Sequence, residues 1–230
     1  MYRAQEGYPI GYFYGYKTLG VFQSEKQIAE YTGAKLSGTA PGDLIFADTN
    51  KDGVIDDKDK CMIGNPHPDV TMGLTLNFGY KGFDLGITTN AVFGNQIAKS
   101  YRSFTDQPKE NYTTDILGRW HGEGTSNRLP RVASGTNVNW LYISDIFIED
   151  GDYFRIQNVT LGYDFKKLFP RMPLGQARLY VTAQNLATFT KYSGMDPEIG
   201  YGADKSWVSG IDVGFYPSPR TYMIGVNLKF

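Results

Sequence analysis

Cysteine is almost absent from this 230-residue sequence. Cys61 stands alone, so no internal disulfide forms, and no CxxC or Cys/His cluster is present to hold zinc. Histidine is nearly as scarce, at His67 and His121 only, and GxSxG, P-loop and HExxH motifs are all missing. His67, between Pro66 and Pro68, reads as a loop residue rather than a general base. Carboxylate groups such as Asp196/Glu198 or Glu149/Asp150/Asp152 are of the type used in glycoside hydrolysis, but closeness in sequence does not set the separation required across a cleft. No enzymatic activity is expected. An excess of either charge is also lacking: 23 Lys+Arg against 24 Asp+Glu leave a formal charge of −1. That balance excludes a polybasic nucleic-acid binder and an acidic solvating tail. No run of 18 apolar residues occurs, so a transmembrane helix is excluded. Met1-Tyr2-Arg3-Ala4-Gln5-Glu6 has no apolar core, so no signal peptide is expected there.

Aromatics are plentiful, at 15% of the chain, and so is glycine, with 27 residues, while charged residues stop at 20%. Such a composition favours strands and turns over helices. Val70, Met72, Leu74, Leu76, Phe78 and Tyr80 alternate with Thr71, Gly73, Thr75, Asn77 and Gly79. After Lys81-Gly82 the alternation resumes from Phe83 to Phe93, which predicts a hairpin. Segments around Val159–Phe165, Leu179–Ala183 and Tyr222–Phe230 alternate in the same way, and Tyr12 to Phe22 is a sixth, weaker candidate. Arg155 and Gln157 fall in the apolar phase of their strand, which places that end outside any apolar band.

Strand length separates two architectures. Strands of soluble sandwiches run to about 5–6 residues, whereas a bilayer-crossing strand needs roughly 9–11, apolar outside and polar towards a lumen. Most segments here are of the longer kind. Their opposite phase carries Thr, Asn, Gln, Gly, Arg and Asp, which would be costly in a dry core. Asp84, Asp164, Arg178 and Lys229 all lie on that polar phase; a basic residue on a lipid face near mid-bilayer would cost about 2–4 kcal/mol. The expected fold is therefore all-β: about six long antiparallel strands of a transmembrane β-barrel. Gly79-to-Gly82 and Lys166-to-Gln176 are the short connections. Gln23-to-Asp69, Gly94-to-Asp152 and Thr188-to-Pro219 are long and fall together on the external side.

The most specific local pattern is Asp48 to Asp59, which follows the calcium-loop spacing D-x-N-x-D-G-x-I-D-x-x-D. Asp48, Asn50 and Asp52 supply oxygens at positions 1, 3 and 5, and Gly53 permits the sharp turn. The Val54 carbonyl serves position 7, Asp56 acts directly or through water, and Asp59 replaces the usual glutamate at position 12. A structural Ca²⁺ pinning an external loop is expected, with no helix pair to make a switch. Tyr8, Tyr12, Phe13, Tyr14 and Tyr16 are candidates for stacking on sugars. Trp207 and Tyr216, in the last long loop, are candidate ligand contacts. Tyr80, Phe93 and Tyr222, at strand ends, read as an interfacial girdle.

These residues resemble the C-terminal part of SusC/RagA-type TonB-linked outer-membrane proteins of the Bacteroidetes, over nearly the whole of residues 1–230. The resemblance rests on Gly15-Tyr16-Lys17-Thr18-Leu19-Gly20-Val21-Phe22, on Gly42-Asp43 through the Asp48–Asp59 loop to Gly64-Asn65-Pro66, and on Gly79-Tyr80-Lys81-Gly82-Phe83-Asp84-Leu85. It continues in Glu149-Asp150-Gly151-Asp152-Tyr153-Phe154-Arg155-Ile156, in Gln184-Asn185-Leu186 with Thr188 to Glu198, and in Tyr216-Pro217-Ser218-Pro219-Arg220 with the terminal Phe230. It implies the C-terminal portion of a barrel of about 22 strands, with plug and N-terminal barrel lying outside this sequence. The function implied is import of oligosaccharide, or of peptide, captured with a SusD-like surface lipoprotein and driven by TonB acting on the plug. Phe230 resembles the last-strand signal read by the barrel-assembly machinery. On this resemblance six strands alone would not transport. The alternative is a secreted, calcium-stabilised β domain that binds glycan through loop aromatics.

Overall fold

The computed structural model describes residues 1–100, 114–132, 138–199 and 209–230. The chain divides into two compact units. One comprises Met1–His67, Gln96–Glu149 and Ile199–Gly214, and the other Pro68–Asn95, Asp150–Glu198 and Phe215–Phe230.

The second unit is a single antiparallel sheet of five long strands: β1 (Val70–Tyr80), β2 (Phe83–Phe93), β3 (Tyr153–Asp164), β4 (Gln176–Thr190) and β5 (Thr221–Lys229). Each strand pairs with its neighbours in sequence, so the order across the sheet is simply β1 to β5. The β1–β2 turn uses Lys81 at φ 45° and Gly82 at φ 93°. Two consecutive positive φ values make the tight turn whose twist matches the flanking strands.

Register sorts the side chains as the alternation predicts. Phe78 faces Leu85, Leu76 faces Ile87, Leu161 faces both Leu85 and Val181, and Ile224 faces Val181. These residues share one face, and much of it is open: Phe78 is 57% exposed and Ile224 73%. Aromatics band that face at both ends. Tyr80, Phe83 and Tyr163 lie at one end, with the Phe83 and Tyr163 rings 4.5 Å apart. Phe93, Phe154, Phe189 and Tyr222 lie at the other, with the Phe154 and Phe189 rings 6.2 Å apart. The ten residue-to-residue steps from Phe83 to Phe93, tilted by about 45°, put the bands about 24 Å apart, close to the apolar height of an outer-membrane barrel. Among the described residues the barrel is not closed: β1 and β5 each have one neighbour.

The break in phase at Arg155 has a structural cause. Pairing shifts between Ile156 and Asn158 on both sides of β3, leaving Gln157 as a bulge. A bulge flips the phase of everything beyond it. Arg155 therefore sits opposite Asn90 and Thr188 on the polar face, while Phe154 joins the apolar one.

The sixth expected long strand is replaced by two short ones, Tyr12–Gly15 and Thr18–Val21, in the other unit. There Tyr12–Gly15 pairs with Tyr2–Arg3 and Cys61–Gly64, and Thr18–Val21 pairs with Leu44–Phe46. The long connections are thus not bare loops. Parts of all three join residues 1–67 around a core of Tyr16, Val21, Leu44, Phe46, Ile55, Trp140, Ile146 and Phe147, and a smaller one of Phe13, Ala98, Ile148 and Ile211.

Candidate functional site

The Asp48–Asp59 segment folds as a turn closed by its own carboxylates. Asp48 accepts from the Asp52 and Gly53 amides at 3.2 and 2.8 Å. Asp52 accepts from the Val54 amide at 3.0 Å and from the Asn50 side-chain nitrogen at 2.8 Å. Asp59 is wholly buried and accepts from the Thr49, Asn50 and Asp56 amides at 2.8, 3.5 and 2.8 Å. Asp56 caps the short helix Asp57–Asp59 by accepting from the Lys58 amide. Lys51 and Gly53 supply the left-handed bends, at φ 62° and 84°, and Ile55 packs into the core. Burial alone would raise the Asp59 carboxyl, but the amides of Asp56, Thr49 and Asn50 outweigh it and hold it below its ordinary value. Lys60, 2.7 Å from Asp57, lowers that neighbouring carboxyl, and burial raises the phenol of Tyr16, which donates to Asp57 at 3.2 Å.

The donor set of Asp48, Asn50, Asp52, the Val54 carbonyl, Asp56 and Asp59 is all oxygen, as a hard cation requires. The structure engages those carboxylates with backbone amides. Among the described residues no group of three His, Cys, Asp or Glu side chains gathers to hold an ion.

A second polar centre lies where the last long connection meets the sheet. The Arg155 side chain, 4% exposed, pairs with Asp196 at 2.5 Å and Glu198 at 2.6 Å. It also donates to Thr188 Oγ1 at 3.0 Å and lies 5.5 Å from the Tyr153 ring centre. Asp196 further accepts the Glu198 amide at 2.9 Å and the Ser218 amide at 3.2 Å. Asn185, at φ 52°, donates to the Pro219 carbonyl at 3.1 Å. Between these groups is a cavity of about 350 Å³, lined in part by Arg155, Asn185, Thr188, Asp196, Ser218 and Arg220. Sequence reasoning quoted Arg155, Asp196 and Glu198 without bringing them together; the bulge at Gln157 was the missing step.

Other candidates take defined places. With Arg155 between them, Asp196 and Glu198 form an ion-pair cluster rather than opposed carboxylates. His67 Nε2 lies 2.6 Å from the Ile10 carbonyl and His121 Nδ1 3.0 Å from that of Arg119, so both rings serve the backbone. Burial raises the Cys61 thiol, which disfavours the thiolate. Tyr12, Phe13 and Tyr16 are buried, so none of these three is presented to a ligand, whereas Tyr8 is exposed and stacks on Tyr12 at 5.0 Å. Tyr216 is 88% exposed and Phe230 93%. Trp207 lies outside the described residues.

No protein-family model matches the chain. It is 38% identical over 232 residues to the TonB-dependent receptor P3 of Formosa agariphila, covering 98% of this chain and 23% of that protein. It is 33% identical over 192 residues to the TonB-dependent receptor SusC of Bacteroides thetaiotaomicron, covering 83% of this chain and 18% of SusC. Among solved structures, the RagAB peptide transporter matches at a TM-score of 0.71 and 22% identity, over 99% of this chain and 23% of that one. The RagAB importer in its 'open-open' state matches at 0.68 and 22%, over 97% and 23%. The chain thus spans about a quarter or less of the length of these relatives.

Proposed function

With the chain identified as part of the SusC/RagA family of TonB-dependent receptors, we propose that it forms one stretch of the wall of an outer-membrane nutrient importer. The observation that carries this is the five-stranded sheet, apolar on one face between two aromatic bands and polar on the other. Across the polar face, Arg178 reaches over Gly162 to grip Asp84 with two nitrogens, at 2.8 and 2.5 Å. A Cβ at Gly162 would lie 2.5 Å from both groups, so a larger residue there would displace the pair from this position. Paired, hydrated charge of this kind suits the wall of a water-filled lumen.

The cargo is oligosaccharide or peptide, captured jointly with a SusD-like lipoprotein; the relatives named SusC and RagAB support that pairing. TonB acts through a plug carried by the rest of the receptor, and the exposed Phe230 is read by the barrel-assembly machinery. Tyr216, fully presented beside the cavity loop, and Trp207 contact cargo. A structural Ca²⁺ belongs to the Asp48–Asp59 loop, supported by the spacing of its oxygens; binding requires those oxygens to exchange amide partners for the ion. Calorimetry of the Asp48→Ala/Asp52→Ala double variant is expected to show calcium uptake abolished, and unchanged uptake removes the assignment.

Transport is tested by deleting the gene that encodes this chain and measuring uptake of labelled oligosaccharides and peptides. Loss of one cargo class, together with recovery of a lipoprotein on the solubilised receptor, is expected. Unchanged uptake of both, with the chain in a soluble fraction, refutes the proposal in favour of a secreted glycan-binding domain.

A further inference from the structure

We infer that Asp196 is a latch coupling the two limbs of the last long connection, residues 191–198 and 215–220, to the polar face of the sheet. The inference concerns this chain's own mechanics and holds whatever the cargo. Asp196 Oδ1 receives Arg155 from the sheet and the Glu198 amide from its own limb, while Oδ2 receives the Ser218 amide from the other limb. One carboxylate therefore joins three separate pieces of backbone. The strand side of the joint is rigid: the Arg155 guanidinium is buried, and its remaining reach goes to Thr188 Oγ1 and Glu198. Burial makes the joint strong while it is complete and costly when it is broken, because a charge-assisted bond in a shielded site exceeds an exposed one.

Two further attachments each serve one limb. Glu198 is half exposed and pairs with Arg155, and Asn185 holds the Pro219 carbonyl. Asp196 spans both limbs, and it lines the cavity between them together with Ser218 and Pro217. Release of Asp196 frees both limbs, opens that cavity and loosens the segment that presents Tyr216. Release of Glu198 slackens the first limb only.

Hydrogen exchange of the full receptor, purified in detergent, distinguishes these outcomes. In Asp196→Asn, which keeps the shape but loses one acceptor and the charge, amides of 191–198 and 215–220 are expected to exchange about tenfold faster or more, while β2 and β3 stay protected. In Glu198→Gln only the 191–198 amides accelerate, and by less. If Asp196→Asn does not reach the membrane, Arg155→Lys replaces it. A point charge cannot hold both carboxylates, so both limbs are expected to leave the sheet together. Acceleration of one limb alone in Asp196→Asn or Arg155→Lys, or equal effects of Asp196→Asn and Glu198→Gln, overturns the latch. Transport assays play no part in this readout, so it can fail while the import function stands.

Discussion

At the scale of single residues, the Asp48–Asp59 loop spends its carboxylates on backbone geometry. Asp59 is the clearest case, since three amides from both ends of its turn converge on one solvent-free side chain. Asp59→Ala strands those donors, at roughly 1–3 kcal/mol for a buried amide left without a partner. Its depressed carboxyl also fixes the direction of the pH effect. Protonation is harder in the folded loop than in the unfolded chain, so Asp59 contributes stability that is full above the ordinary carboxylate value, about 3.9, and is lost as pH falls through the lower folded value. Pepsin is expected to cut within residues 48–59 markedly faster at pH 2–3 than at about pH 5, relative to cutting of a control peptide at the same two values. Asp59→Ala is cut readily at both. Equal susceptibility of the native loop at both pH values counts against the role given to Asp59. The spacing from Asp48 to Asp59 was legible in the sequence; that its oxygens would face amides was not, because hydrogen-bond partners depend on how Lys51 and Gly53 bend the turn.

At the scale of elements, the strands were the most legible part, since a two-residue period survives whatever the strand packs against. Five of the expected long segments reappear as strands, and the short β1–β2 and β3–β4 connections fall at one end of the sheet, as the parity of the loops required. The failures share one cause: pairing that local pattern does not reveal. Tyr12 to Phe22 alternates well enough for a long strand, yet splits because Thr18–Val21 finds Leu44–Phe46 while Tyr12–Gly15 finds Cys61–Gly64. The misphased Arg155 was in fact the visible trace of the bulge. Two neighbouring substitutions in β2 test the face assignment. Ile87→Arg puts a cation on the apolar face near mid-strand and is expected to destabilise the receptor in lipid by about 2–4 kcal/mol, whereas Thr88→Arg, on the polar face, changes stability little. Urea titration of heat-modifiable mobility in vesicles measures both. Equal penalties would mean that the two faces see the same solvent, which a membrane wall does not allow.

At the scale of the whole molecule, composition and strand length indicated the environment, but the folding of the long connections into a cored unit required non-local contacts. Trp140, Phe147 and Ile148 lie within the long Gly94-to-Asp152 connection, where no local period marks them as core. Among the described residues the outer edges of β1 and β5 have no neighbours, leaving rows of amides and carbonyls that neither lipid nor an apolar face can satisfy. On the proposed function those edges are expected to pair with further strands of the full receptor. The chain produced by itself is therefore expected to require detergent and to self-associate. Its β1 and β5 edge amides should exchange within seconds while the interior of β2 to β4 remains protected. In the full receptor the same edge amides should become as slow as those of β3. A soluble, monodisperse 230-residue chain with protected edges would show that the sheet completes itself without a barrel, and its exposed apolar face would then need a partner of another kind.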